Sequence, residues 1–193
     1  MPILGNVIGE RFGRLLAAAQ GGTREADGAF SALWRDANPA LLRYLRVIAP
    51  EAAEDIAAET WVQVVRGLGG FRGDEAAWRA WLFTTARRRA IDEGRRRSRR
   101  PVVFLPELPD DAAPGSADLA DLVLEKLSTE GAIAVISALP RFQAEVILLR
   151  VVAGLDNQAV AQLVGRSPGA VRVAAHRGLR RLAATVRETT GGL

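Results

Sequence analysis

The chain has 193 residues, 49% hydrophobic and 25% charged, a globular composition with no apolar run near the roughly 20 residues of a membrane span and no secretory pattern at its start. A soluble cytoplasmic protein of one ordinary domain or two small ones is expected; with no cysteine, disulfides, thiolate zinc sites and a catalytic thiol are excluded, with His176 the only histidine a His-based metal cluster or histidine triad is not expected, and no cofactor is implied. Net charge is +4 with a pI of about 10.7, and because Lys126 is the only lysine the positive charge is arginine, whose planar fork suits phosphates and guanine edges, although a GC-rich genome writes the same bias.

Residues 1–9 read as a loose arm. From Glu10 to Gln20 the spacing of Phe12, Leu15, Leu16 and Ala19 predicts a short helix closed by Gly21-Gly22. Thr23 or Asp27 is placed to open the next helix, with Ala26, Phe30, Leu33 and Trp34 turned inward. Asn38-Pro39 reads as a cap followed by proline, after which Leu41, Leu42, Leu45 and Ile48 carry the helical alternation to Pro50. Residues 50–69 form an amphipathic helix in which Ile56, Thr60, Val64 and Leu68 face a core, while Asp55, Glu59 and Gln63 line a polar stripe. That stripe is either a solvated face or a docking surface for a basic partner.

Phe71 to Asp74 is a turn, and Glu75 to about Arg97 is a helix. Trp78, Trp81, Leu82, Thr85, Ala86 and Ala90 pack or line a groove, and Arg87, Arg88, Arg89, Arg95, Arg96, Arg97, Arg99 and Arg100 make a cationic surface relieved only by Asp92 and Glu93. Repulsion within such a surface is relieved by phosphates. Tryptophans beside it stack on unpaired bases if exposed and are core if buried. Pro101 to Ser116, with four prolines and no basic residue, is a linker. Helical patterning resumes at Ala117 through Leu119, Leu122, Val123, Leu127, Ile133 and Ile136, with a break near Gly131.

The stretch from Leu139 to Val186 reads as three helices. Phe142, Val146, Leu149 and Ala153 mark the first, which Gly154 stops; Asp156 caps the second, which buries Ala159, Val160, Leu163 and Val164; Gly165 turns the chain. Ser167 and Pro168 are a cap and a first helical residue for the third. It carries an apolar stripe (Val171, Ala175, Leu179, Leu182, Val186) and a basic one (Arg172, His176, Arg180, with Arg177 and Arg181). Short helix, glycine turn and basic amphipathic helix together read as helix-turn-helix, whose second helix enters the DNA major groove. The bland alternative is three core helices with a solvated basic face.

Four segments, LLAAAQGGTREADGAFSALWRDANPALLRYLR, AEDIAAETWVQVVR, FRGDEAAWRAWLFTTARRRAIDEGRRRSRR and LPRFQAEVILLRVVAGLDNQAVAQLVGRSPGAVRVAAHRGLRRL, carry a resemblance in their order and spacing. The chain from about Leu15 to Leu182 resembles the extracytoplasmic-function (ECF) group of bacterial sigma factors, small two-domain members of the sigma-70 family. The resemblance implies an all-helical protein with a region 2-like domain over residues 10–100, a linker over 101–117 and a region 4-like helix-turn-helix domain over 118–187. It implies that Glu54, Asp55, Glu59 and Trp61 bind core RNA polymerase at the beta-prime clamp helices, with the beta flap a second contact. Trp78, Trp81, Arg88, Asp92, Arg95 and Arg96, with the base-capturing turn Phe71, Arg72 and Asp74, would melt and read the minus-ten element. Arg166, Ser167, Ala170, Arg172, Val173, His176, Arg177 and Arg180 would read the minus-thirty-five duplex. An anti-sigma factor is the implied regulator, and no enzymatic activity is. Three places depart from the family's habit: Ala58 stands where glutamine is frequent, Arg88 where asparagine is, and Asn157-Gln158 where an aromatic-acidic pair is. The rival readings are a conventional helix-turn-helix regulator of duplex operators and a helical adaptor for protein or RNA.

Overall fold

The computed structural model describes residues 11–22, 24–97 and 129–190, and every regular element among them is helical. The arm, Thr23, Arg99, Arg100, the proline-rich linker and the patterned stretch before Thr129 lie outside the described residues, as does the side chain of Val186. In chain order the helices are α1 (Phe12–Gln20), α2 (Ala26–Ile48), α3 (Ala53–Leu68, after a 3-10 turn Pro50–Ala52), α4 (Glu75–Arg97), α5 (Thr129–Ser137), α6 (Arg141–Ile147, continued by a π-helical turn Leu148–Val152), α7 (Asn157–Val164) and α8 (Pro168–Thr190).

Helix α2 is the spine, packing against α1, α3, α4, α5, α6 and the π-turn. Its buried face is Ala29, Leu33, Ala37, Ala40, Leu41, Tyr44, Leu45 and Ile48, a helical spacing kept for about five turns. That continuity corrects the expectation at Asn38-Pro39. The pair does not start a helix; Pro39 sits inside α2. An interior proline costs about 3 kcal/mol, and the apolar face on either side of Pro39 outweighs it. Asn38 is no cap either: its Oδ1 accepts from Trp61 Nε1 at 2.9 Å, tying α2 to α3. Asp27 falls within the first turn instead of before it, and Trp34 is 41% exposed where an inward position was expected. In α5 the helix runs through Gly131 unbroken.

The face of α3 follows the sequence closely: Ile56, Thr60, Val64 and Leu68 are all buried. Helix α4 is clamped to α2 by an ion cluster that periodicity conceals. Arg79, 5% exposed, donates from Nη2 to Asp36 Oδ2 at 2.8 Å and from Nε to Glu75 Oε1 at 3.0 Å. Such charges leave water only because partners and geometry compensate.

The N-terminal helices and the C-terminal ones share one apolar cluster, in which Leu45, Ile48 and Phe83 join Ile136, Val146, Ile147 and Leu149. At the seam a carboxylate is buried: Glu145, 2% exposed, accepts at Oε1 from Tyr44 Oη at 3.0 Å and from Arg87 Nε at 2.7 Å. The Tyr44 ring meets Phe83 edge-on at 5.4 Å, and Arg141 Nη2 reaches Ile48 O at 3.4 Å. Burial, and then the neighbouring Glu145 charge, push the Tyr44 phenol well above its ordinary value of 10.0.

Replacing Asp36 with alanine leaves Arg79 buried with one partner fewer and is expected to cost about 3 kcal/mol, read as a lower denaturant midpoint. Tyr44 is the only tyrosine, so its ionisation can be followed by ultraviolet absorbance alone. Its neutral form is favoured in the fold, so this contribution is complete below the unfolded value near 10 and is lost as pH rises through the raised folded value. No phenolate signal is expected at pH about 10, where an exposed tyrosine is half ionised; Glu145→Ala, which opens the seam, brings the titration back toward that pH.

Candidate nucleic-acid interface

The turn between α3 and α4 is built by side chains that reach its backbone. Gln20, at the end of α1, donates from Nε2 to Leu68 O at 2.8 Å and to Phe71 O at 2.9 Å. Arg72 Nη1 donates to Gly69 O at 3.0 Å and Phe71 O at 2.7 Å. Asp74 Oδ1 accepts from Ala77 N at 2.8 Å, which caps the start of α4. The Phe71 ring stacks on Trp81 at 5.1 Å with the planes 16° apart and meets Trp78 edge-on at 5.7 Å. Trp81 approaches so closely that a Cβ on Gly67 would lie 2.8 Å from its Cζ2.

The tryptophans divide. Trp78 is 1% and Trp61 7% exposed, both inside the aromatic cluster, whereas Trp81 and Phe71 are half-buried at the surface. Trp78 and Trp61 therefore act from beneath, supporting a surface they do not form. Arg88, Arg95 and Arg96 are exposed on α4. Arg95 meets the exposed Asp92, Oδ1 at 3.6 Å, and Arg96 makes a long contact to the half-buried Glu93, Oε2 at 3.8 Å, so both are held weakly.

The residues expected at the minus-ten element do not gather in one place. Phe71, Arg72, Asp74, Trp78 and Trp81 gather at the N-terminal end of α4. Asp92 and Arg96 line a groove of about 360 Å³ between α3 and α4 with Asp55 and Glu59, the acidic residues expected to face polymerase. The two groups lie about 20 Å apart along the helix. Arg88 faces elsewhere again, lining a groove of about 310 Å³ with Ala80, Thr84 and Arg87 and with Ala159, Gln162 and Leu163 of α7.

In the C-terminal helices the local chemistry is as the sequence sets it. Gly154 and Gly165 adopt left-handed φ of 69° and 71°. Asp156 Oδ1 accepts from Ala159 N at 2.7 Å and Ser167 Oγ from Ala170 N at 3.1 Å, so α7 and α8 each begin on a side-chain cap. Helix α8 buries Val171, Ala174, Leu182 and Ala183. Arg166, Ser167, Arg172 and Arg180 are exposed, and Ala170, Val173, His176 and Arg177 are half-buried beside them. Residues that periodicity missed hold α8 in place. Gln143, 1% exposed on α6, accepts from Arg181 Nη1 at 2.9 Å. Gly178 lets the helices touch, since a Cβ there would lie 2.5 Å from Ile147 Cδ1. A mid-helix glycine was the available signal for that approach.

Among the described residues no group of histidine, cysteine, aspartate and glutamate could hold a metal ion, and no helix is long and apolar enough to cross a membrane.

The sigma-70 region 2 family model matches residues 33–100 and the sigma-70 region 4 model residues 130–182. The ECF RNA polymerase sigma factor ShbA of Streptomyces griseus is 35% identical over 162 residues, 76% of this chain and 82% of that protein. The ECF RNA polymerase sigma factor SigD of Mycobacterium tuberculosis is 30% identical over 184 residues, 90% of this chain and 83% of its own. In three dimensions CnrH, in its complex with the cytosolic domain of CnrY, superposes with a TM-score of 0.56 at 23% identity, covering 91% of this chain and 96% of that one. The all-helical, two-region architecture thus defines a sigma-70 family protein. Within that family the chain belongs to the ECF RNA polymerase sigma factors, the group its four sequence segments resemble.

Filling the α6–α8 contact tests the geometry of the basic helix. Gly178→Leu drives a side chain into Ile147 and the Gln143 stem and is expected to destabilise the chain by about 1–3 kcal/mol despite the gain in helix propensity, measured by thermal unfolding.

Proposed function

We propose that this sigma factor reads its promoters with two separate surfaces and docks on core polymerase with a third. The observation that carries the reading is a pairing within one chain. A turn whose half-buried Phe71 ring stacks on Trp81 opens an arginine-rich helix, and a side-chain-capped helix presents a basic face. Opening DNA requires a trap for unstacked bases together with phosphate contacts, which the first surface supplies; reading duplex edges requires a helix that fits the major groove, which the second supplies.

In this reading the loop of Phe71, Arg72 and Asp74, with Trp81 on one side and Trp78 beneath, receives a base of the minus-ten element, and Arg88 and Arg95 hold the opened strand. Asp92 and Arg96 lie toward the α3 side and act on the polymerase or on downstream phosphates. Arg166, Ser167, Ala170, Arg172, Val173, His176, Arg177 and Arg180 read the minus-thirty-five duplex. Glu54, Asp55 and Glu59 face the beta-prime clamp helices. Val62 and Val65, 48% and 55% exposed on α3, give that face an apolar component, and Trp61 supports it from the core. The region 4-like domain meets the beta flap, and the factor acts beside polymerase in the cytoplasm without catalysing a reaction. CnrH is held by the cytosolic domain of CnrY; an anti-sigma factor holds this chain in the same manner.

Distance adds a requirement. The two promoter elements lie about 25 base pairs apart, roughly 85 Å of duplex at 3.4 Å per pair, whereas the two halves here share one core. Promoter engagement therefore separates them at the Tyr44–Glu145–Arg87 seam.

Run-off transcription with purified protein and bacterial core polymerase on a genomic promoter library tests the reading. Discrete start sites that appear only with the protein are expected, and binding to core without initiation on any template would support the adaptor instead. On such a promoter Arg172→Ala is expected to weaken holoenzyme binding by about 1–3 kcal/mol at fixed salt. Unchanged binding and transcription would reject the role given to α8.

A further inference from the structure

Gln20 lies outside both segments matched by the family models, and sequence alone assigns it no role beyond ending a short helix, yet its side chain is committed to the α3–α4 turn. A primary amide has two N–H donors, and here Nε2 meets Leu68 O at 2.8 Å and Phe71 O at 2.9 Å, the two carbonyls that bracket Gly69 and Gly70. Helix α1 is itself anchored. Phe12, at its other end, is 3% exposed with its ring 6.1 Å from that of Trp78, and Leu16 is buried on the next turn. The same Trp78 ring touches Phe71. The turn is thus gripped twice, through its aromatic side chain from α4 and through its backbone from α1.

We propose that Gln20 is a positioning residue for promoter opening, holding the Phe71–Asp74 turn in the shape that receives an unpaired base. It acts through the turn's backbone and makes no contact with DNA. The proposal rests on the role given above to that turn. Extruding a base from the stack is costly, and a receiving loop that had to order at the same moment would add its own entropy. A loop fixed beforehand avoids the second cost. The effect is confined to the opened strand, because duplex reading by α8 and docking through α3 do not use the turn.

The test uses the full chain assembled with core polymerase on a promoter found by run-off transcription. Gln20→Met keeps the length of the side chain and its helix preference but removes both donors. Gln20→Glu sets an acceptor against two carbonyls, and Gln20→Lys restores a donor. The readouts are affinity for a single-stranded oligonucleotide carrying the non-template minus-ten sequence, the rate of open-complex formation, and affinity for core polymerase. Two lost hydrogen bonds predict about a tenfold fall in the first two for Gln20→Met and at least as much for Gln20→Glu. Core affinity should be unchanged, and Gln20→Lys should recover most of the loss. Wild-type opening by Gln20→Met overturns the proposal. So does an equal loss of core affinity, or a failure of Gln20→Lys to restore what Gln20→Met loses, since either assigns the effect to packing. If the unaltered chain opens promoters yet does not hold the minus-ten strand, the role of the turn itself falls. If it opens none, the reading of the whole factor falls first.

Discussion

The N-terminal half is arranged about the buried indole of Trp78. Its ring meets Phe12 from α1, Trp61 from α3, Phe71 from the turn and Trp81 one helical turn further along α4, at centroid distances of 5.7 to 6.5 Å. An indole with four aromatic neighbours has few places to go, so the elements that supply those rings are fixed relative to one another. The turn that offers Phe71 to the surface, and the start of α4 that offers Trp81, inherit this rigidity. Mobile rings would have to order on meeting any ligand; rings packed on Trp78 are ordered beforehand.

A second constraint governs the relation of the halves. Glu145 cannot be buried without donors, and both of its donors, Tyr44 and Arg87, come from the other half of the chain. The apolar seam around them is what any hydrophobic surface would make on collapse, but the carboxylate sets its register. Apolar contact adapts to small slips, whereas a buried charge that loses a partner is left at high cost. The same feature makes the seam separable. Once opened, Glu145, Tyr44 and Arg87 are ordinary polar groups that water satisfies, so parting them costs less than parting an equal area of purely apolar surface.

Arginine serves two purposes in this chain, and sequence alone does not distinguish them. Arg79 and Arg87 are structural, each pinned to carboxylates contributed from a distance, Asp36 for one and Glu145 for the other. Arg88 and Arg95, on the same helix, face solvent. Along α4 the two kinds alternate within a run that reads as a uniform basic patch. The cationic surface is accordingly sparser than the sequence suggests.

What the sequence determined by itself is what neighbours along the chain decide. The caps at Asp156 and Ser167, the left-handed glycines 154 and 165, the proline at the head of α8 and the buried face of α3 follow from local backbone chemistry and helical period, which no distant residue needs to supply. The motif order carried the family for the same reason: spacing along a helix survives in the string. Tertiary structure decided the rest. Asn38-Pro39 reads as a helix start because the local signal is strong, and it is overridden by a face of α2 whose packing partners lie in five other helices and the π-turn. Trp61 and Trp78 could not be sorted from Trp81 because period places all of them near an apolar stripe, and only the packing of α1 and α3 says which are covered. Gln20, Asp36, Gln143 and Glu145 had no signal at all. Each is a polar residue whose importance lies in a partner 38 to 101 positions away, and a hydrogen bond across that distance leaves no periodicity to read.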